Sequence, residues 1–293
     1  MTRRAVLLFA VLCVLWGLPY LLIKIAVAEV SVPFLVFARV SVGALALLPF
    51  LIRNDLGWLR THWLPTAAFC LTEMLLPWGL ITHGETSIDS STAGLLIALT
   101  PVVTIALARL TGSDERLGPR RWTGLVLGFI GVFILALPTL GGELLAVGEI
   151  LLAAVCYAIG SIIAARWLKN VPAAQLTAVC LISAALVYAL PALQTWPATM
   201  PSTLAIWSIA SLGVFCTALA FTVYFMLVRE AGPERAVLIT YVAPAVAVAA
   251  GVVVLSEPLD ARLIAAFALI LGGSWLAASR NQPAKINPEK RKP

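Results

Sequence analysis

Charged side chains are scarce in this sequence. Asp, Glu, Lys and Arg together supply 12% of the residues, hydrophobic residues supply 61%, and mean hydropathy is +1.00. A soluble domain cannot cover its surface with so little charge. No polar stretch is long enough to form a separate domain, which excludes an activity carried outside the apolar segments. Signatures of chemistry are missing as well. There is no G-x-x-x-x-G-K-[ST], so the chain does not hydrolyse ATP by that device. Neither H-E-x-x-H nor G-x-S-x-G occurs, nor a pair of intramembrane aspartates, so an intramembrane enzyme would lack its usual groups. Cys13, Cys70, Cys156, Cys180 and Cys216 fall singly in apolar runs with no C-x-x-C pair, and read as small apolar fillers. No metal and no cofactor are expected.

What the chain does contain is a series of apolar runs. Ten of them, at roughly 5–28, 33–52, 64–84, 91–110, 120–138, 147–168, 173–194, 204–229, 234–255 and 260–279, match the ~20 residues that a membrane span needs. Threading these ten through a membrane puts seventeen of the twenty Lys and Arg on one side and only Arg262 on the other, with Lys24 and Arg39 inside the runs. Cytoplasmic loops carry the excess of Lys and Arg, so both ends are expected in the cytoplasm. Glu29, Glu85, Asp89, Glu143, Glu257 and Asp260 fall in the opposite loops. The net charge of +6 is then topological, and no nucleic-acid partner is expected. Arg3-Arg4 and Ala26-Val27-Ala28 resemble parts of a signal peptide, but the apolar run exceeds the ~7–15 residues of such a leader's core and reads as a span. Residues 280–293, with Lys285, Lys290, Arg291 and Lys292 among prolines, read as a disordered basic tail. The expected fold is an all-α integral membrane protein of ten transmembrane helices, multi-pass in the cell membrane.

Shifting the chain by 141–143 residues lays its second half on its first. Trp16 then falls on Tyr157, Trp78 on Phe221, Pro101 on Pro244, Glu115 on Glu257 and Gly131 on Gly273. Each half, 1–140 and 141–279, holds five runs. An odd number makes the second copy enter the membrane from the opposite face, an inverted-topology repeat of the kind transporters use around a midplane site.

Several residues stand out against this apolar background. Trp16, Tyr20 and Lys24 lie at i, i+4 and i+8, on one stripe of the first helix, and Tyr157 and Ser161 occupy the matching stripe of the sixth. Aromatic faces suit a planar or cationic substrate, or ordinary packing. Lys24 and Arg39 are ionisable groups within spans, which normally face a cavity or a partner; snorkelling to the headgroups is the alternative. Glu73 is the only acid in the middle of a span. It can hold a substrate ammonium, carry a proton, or neutralise Lys24 or Arg39. Trp78, Phe221, Tyr224, Thr240 and Tyr241 are further candidates. Pro101 and Pro244 mark matching kinks for gating or shape. Gly124, Gly128 and Gly131 allow a close helix approach, either bracing the halves or forming a dimer contact.

The chain resembles the ten-span EamA branch of the drug/metabolite transporter superfamily. The resemblance covers residues 5–279. It rests on Trp16-Gly17 with Lys24, Pro33 followed by Arg39, Ser91-Thr92-Ala93-Gly94 leading to Thr100-Pro101, and Glu115 before Gly124, Gly128 and Gly131. In the second half it rests on Tyr241 to Pro244, Ser256-Glu257-Pro258 and Gly272-Gly273. The resemblance implies export of amino acids, other small metabolites or lipophilic organic cations, and an aromatic or broad-range amino-acid exporter is the nearest likeness. Lys24 and Arg39 with Glu73 suit a zwitterion, and aromatic walls suit aromatic or large neutral side chains. The expected partners are a small-molecule substrate and the lipid bilayer. The expected mechanism is alternating access by a functional monomer, with a passive channel as the rival.

Overall fold

Inside a bilayer no water is present to satisfy the backbone, so an apolar chain must close its hydrogen bonds within each segment. The computed structural model describes residues 2–52, 55–110, 118–136, 143–236 and 238–278, and every regular element among them is a helix. Glu115, the 140–141 boundary and the tail 280–293 lie outside the described residues. Eight helices are long and apolar enough to cross a membrane. They are α1 (Arg3–Val27), α2 (Val32–Leu51), α3 (Gly57–Gly84), α4 (Ser90–Leu107), α5 (Pro119–Ala136), α6 (Glu143–Trp167), α7 (Ala173–Gln194) and α8 (Thr203–Ala231). Two shorter apolar helices follow, α9 (Ile239–Leu255) and α10 (Ala261–Ala277). Leu7, Leu45, Phe133, Leu186 and Val253 point outward, each at least 63% exposed. So many large apolar groups on the outside would aggregate in water and are at home in lipid.

Proline and hydroxyl groups decide where the helices are interrupted. Helix α1 breaks at Leu18, before Pro19, which offers no N–H to the carbonyl of Leu15. Helix α4 breaks between Ile97 and Thr100, because Pro101 leaves the Ile97 carbonyl without a donor. The Thr100 hydroxyl fills that gap at 2.7 Å, and Ser274 of α10 donates to the adjacent Ala98 carbonyl at 2.9 Å. Pro244 behaves differently. It lies within the continuous helix Ile239–Leu255, so the two prolines do not mark matching breaks.

Helices α3 and α8 each contain one widened turn, of π type, at Leu71–Leu75 and Val214–Leu219. In α3 the Leu76 N–H donates to the Leu71 carbonyl, five residues back, and Pro77 lacks the N–H that Glu73 would need for the ordinary ladder. In α8 the Thr217 hydroxyl donates to the Leu212 carbonyl at 2.8 Å. The two turns start 143 residues apart, the offset that relates Trp78 to Phe221.

Helix α5 packs on α10, α2 on α7 and α4 on α9; α1 contacts α8 and α9, as α6 contacts α3 and α4. This set of pairs is unchanged when each helix is exchanged with the one five places along. The α5–α10 pair is a glycine seam: a Cβ on Gly124 would lie 2.5 Å from the Gly273 carbonyl, and one on Gly273 2.6 Å from the Gly128 nitrogen. Gly124 and Gly128 therefore allow the close approach of α5 to α10 within one chain, the bracing alternative of the two that their spacing left open.

Candidate functional site

A buried cation occupies the middle of the bundle. Arg39 of α2 is 6% exposed, and its guanidinium carbon lies 3.9 Å from the centroid of the Trp78 ring of α3. Its Nε donates to the Thr217 hydroxyl oxygen at 3.2 Å. The hydroxyl proton of Thr217 is already committed to the Leu212 carbonyl, so the oxygen presents an acceptor lone pair to the arginine. The widened turn of α8 thus creates the arginine's neutral partner. No ion pair among the described residues includes Arg39.

The widened turn of α3 carries the opposite charge type. Glu73 Oε2 is sealed from solvent and has no hydrogen-bond partner. It faces Gly160 of α6, where an added Cβ would stand 2.5 Å away and push the carboxyl aside. Glu73 pairs with neither Lys24 nor Arg39. Aromatic side chains connect the two poles. Tyr157 is within electrostatic reach of both Glu73 and Arg39 and lies beside Trp78. Tyr224 is within reach of Glu73. Trp16 stacks edge-on against Phe221 at 5.9 Å and tilts against Tyr224 at 5.2 Å. Tyr20 packs on Gly94 and lies within reach of Tyr157 and Arg39.

The remaining sequence candidates fall elsewhere. Lys24 donates from Nζ to the carbonyls of Glu85 and Ile88, both at 2.8 Å, tying α1 to the α3–α4 connection. Ser161 is exposed. Tyr241 donates to the Ser274 carbonyl at 3.2 Å and joins α9 to α10. Thr240 is engaged as well. A shallow depression of about 490 Å³ on the outer face of α6, lined by Leu144, Leu145, Gly148, Glu149 and Leu152, shares no residue with the central cluster.

One end of the bundle, where the acidic loop residues gather, is tied across the two halves at several points. The Glu29 carboxylate accepts from the N–H and O–H of Ser202, at 2.6 and 2.5 Å, at the start of α8. Those two donors hold its carboxyl below the usual range. Ser31 donates to Thr195, and Phe34 meets Trp196 edge-on at 4.8 Å. Glu257 accepts from the N–H and O–H groups of both Ser90 and Ser91, which neutralises the start of α4. His83 contacts Glu149 at 2.8 Å. At the basic end, Arg4 and Thr2 hold Glu230, and the Trp58 indole donates to Gln175 at 2.6 Å. The loop carboxylates Glu85 and Glu257 are buried, not solvated as their positions in the sequence suggest.

Sequence comparison fits this architecture. The family model of the EamA-like transporter family matches twice, over residues 3–137 and 143–279. The chain is 26% identical over 295 residues to the uncharacterized transporter YvbV of Bacillus subtilis, covering 96% of this chain and 94% of that one. It is 27% identical over 256 residues to the uncharacterized inner membrane transporter YedA of Escherichia coli, covering 83% and 80%. A solved crystal structure superposes with a TM-score of 0.67 at 22% identity, over 95% of this chain and 98% of the other, which shows a shared fold. With apolar helices throughout and both halves matched, this multi-pass membrane protein belongs to the EamA-like transporter family.

Proposed function

We propose that the chain is a secondary transporter that exports amino acids, aromatic or large and neutral, by alternating access around the Arg39–Glu73 cluster. The observation that carries the substrate class is the separation of the poles. A buried guanidinium without a carboxylate partner and a half-buried acid whose sealed Oε2 has no partner stand in different helices, with aromatic rings beside both. Each pole would be costly unless a ligand completed it. A zwitterion does so, its carboxylate toward Arg39 and its ammonium toward Glu73, with an apolar side chain against Trp16, Phe221 and Tyr224.

Helix pairing that is unchanged by exchange of the halves supports two inverted five-helix repeats, and rocking of one against the other supplies the alternation. Basic residues at the termini and the inner-membrane description of the YedA relative support cytoplasmic ends in a bacterial inner membrane. The apolar helices of both halves lie within one chain, which supports a functional monomer. Counterflow tests the function. Liposomes containing the protein and unlabelled phenylalanine should accumulate labelled phenylalanine with saturation. Uptake no greater than in protein-free liposomes refutes phenylalanine transport, and linear uptake without counterflow favours a channel. The unpartnered Glu73 beside aromatic rings also favours a second substrate class, lipophilic organic cations, which competition with such a cation would reveal.

A further inference from the structure

The connection from Glu85 to Asp89, between α3 and α4, is gripped from two sides. The Lys24 ammonium of α1 takes the carbonyls of Glu85 and Ile88. The Glu257 carboxylate, from the α9–α10 connection, takes the donors of Ser90 and Ser91 directly after it. Between these grips lies the Glu85 side chain, 0% exposed, with neither carboxyl oxygen hydrogen-bonded. A carboxylate in that position would be uncompensated, whereas a neutral carboxylic acid is tolerated. Lys24 does not form an ion pair with it.

Lys24 and Tyr20 face Glu85 from α1, Arg39 from α2 and Glu257 from the α9–α10 connection. Asp89 follows on its own segment and feels Glu143 and Arg262. On the α6 side, Gly84 packs on Ile150, and the His83–Glu149 pair flanks the turn.

We propose that Glu85 is a proton-binding site, occupied while the acidic end is closed and vacated when the α3–α4 connection lifts from α1 and from Glu257. This rests on the alternating-access reading for the meaning of the opening; the bound proton follows from burial alone. Burial pushes the Glu85 carboxyl well above its usual range, against the pull of Lys24 and with reinforcement from Glu257. Closure is therefore fully favoured below the ordinary carboxylate range and weakens as pH rises through the raised value.

Amide hydrogen exchange over residues 86–91, in purified wild-type and E85Q protein across a pH series, tests the site. Glutamine imitates the protonated acid, and the other titrating groups are common to both proteins and cancel in the ratio. The wild-type to E85Q exchange ratio should rise with pH, by up to about tenfold per unit for a single proton. A ratio independent of pH overturns the proposal. Should E85Q not fold, infrared spectra of the E73Q protein decide. They should show a protonated-carboxyl band at neutral pH that titrates away only above the ordinary carboxylate range, and absence of that band overturns the site. Neither readout depends on transport, so a failure of phenylalanine counterflow leaves both interpretable.

Discussion

The two widened turns, Leu71–Leu75 in α3 and Val214–Leu219 in α8, have the same backbone device at matching places in the two halves. Their chemistry differs. One presents Glu73 with an unpartnered oxygen; the other presents Thr217, whose hydroxyl is an acceptor for Arg39. Cys216 stands where an acid would sit if the halves were alike, and it lies within electrostatic reach of Arg39. An acid there would neutralise the arginine. Backbone likeness thus gives both halves the same device, while side-chain difference puts an acid on one turn and the hydroxyl partner of a cation on the other. Widened turns of this kind concentrate at functional sites because they re-aim side chains without ending the helix.

Removing the cationic pole breaks the comparison most severely. In R39A, truncating a buried charged partner costs about 2–5 kcal/mol, so phenylalanine counterflow should fall by at least about tenfold. R39K should recover only part of it, since an ammonium neither stacks flat on Trp78 nor matches a planar carboxylate. Full recovery in R39K would show that charge alone is used. The acidic pole comes next. E73Q should lose a charge-assisted hydrogen bond of about 1.5–3 kcal/mol to the substrate ammonium, lowering counterflow by roughly tenfold or more. Its melting temperature in detergent should not fall, because the substitution replaces a carboxyl whose sealed oxygen has no partner. A large loss of stability would mean that the carboxyl is structural.

Smaller changes sharpen the comparison. T217V removes the one charge-assisted hydrogen bond that Arg39 Nε donates to a hydroxyl, worth about 1.5 kcal/mol at the low end of its range, and should reduce counterflow about tenfold, whereas T217S should stay near wild type. Equal effects of the two would detach the hydroxyl from the arginine. G160A places a methyl against Glu73 Oε2, at the end of a flexible side chain, and should cost under about 1 kcal/mol of stability. It should lower counterflow in the wild-type background and have no further effect in E73Q; additive losses would uncouple the two positions. The smallest effect is expected at the Glu29 clasp. Its carboxyl is held low by Ser202, so the clasp is intact at neutral pH and is lost only as pH falls through that lowered value. Exchange protection at the start of α8 should follow that course in wild type and be independent of acid pH in E29Q.

Much of this was legible in the sequence because it breaks a rule. Arg39, Glu73 and Trp78 are polar or bulky groups inside apolar runs, and the membrane makes such residues conspicuous. The apolar runs themselves set the helices, and the glycines of α5 announced a close packing whose partner, Gly273, the repeat offset also named. Lys24 was equally conspicuous, yet its two carbonyl partners lie 61 and 64 residues away, a pairing that no local pattern reports. Thr217 was missed because its role comes from the widened turn. A threonine in a helix ordinarily bonds the carbonyl four residues back, as Thr222 does with Ala218. Glu85 was hidden for the opposite reason: an acid just past the end of a span reads as a solvated loop residue, and only the packing of α1 and the α9–α10 connection seals it.

The central claim is that two oppositely charged poles hold the two ends of a zwitterion. Competition against labelled phenylalanine in counterflow tests it directly, with phenethylamine lacking the carboxylate and 3-phenylpropionate lacking the ammonium. The account predicts that unlabelled phenylalanine competes and that each one-ended analogue competes at least about tenfold more weakly. Phenethylamine competing as well as phenylalanine would contradict it, leaving Arg39 without a substrate role and making the protein a cation exporter.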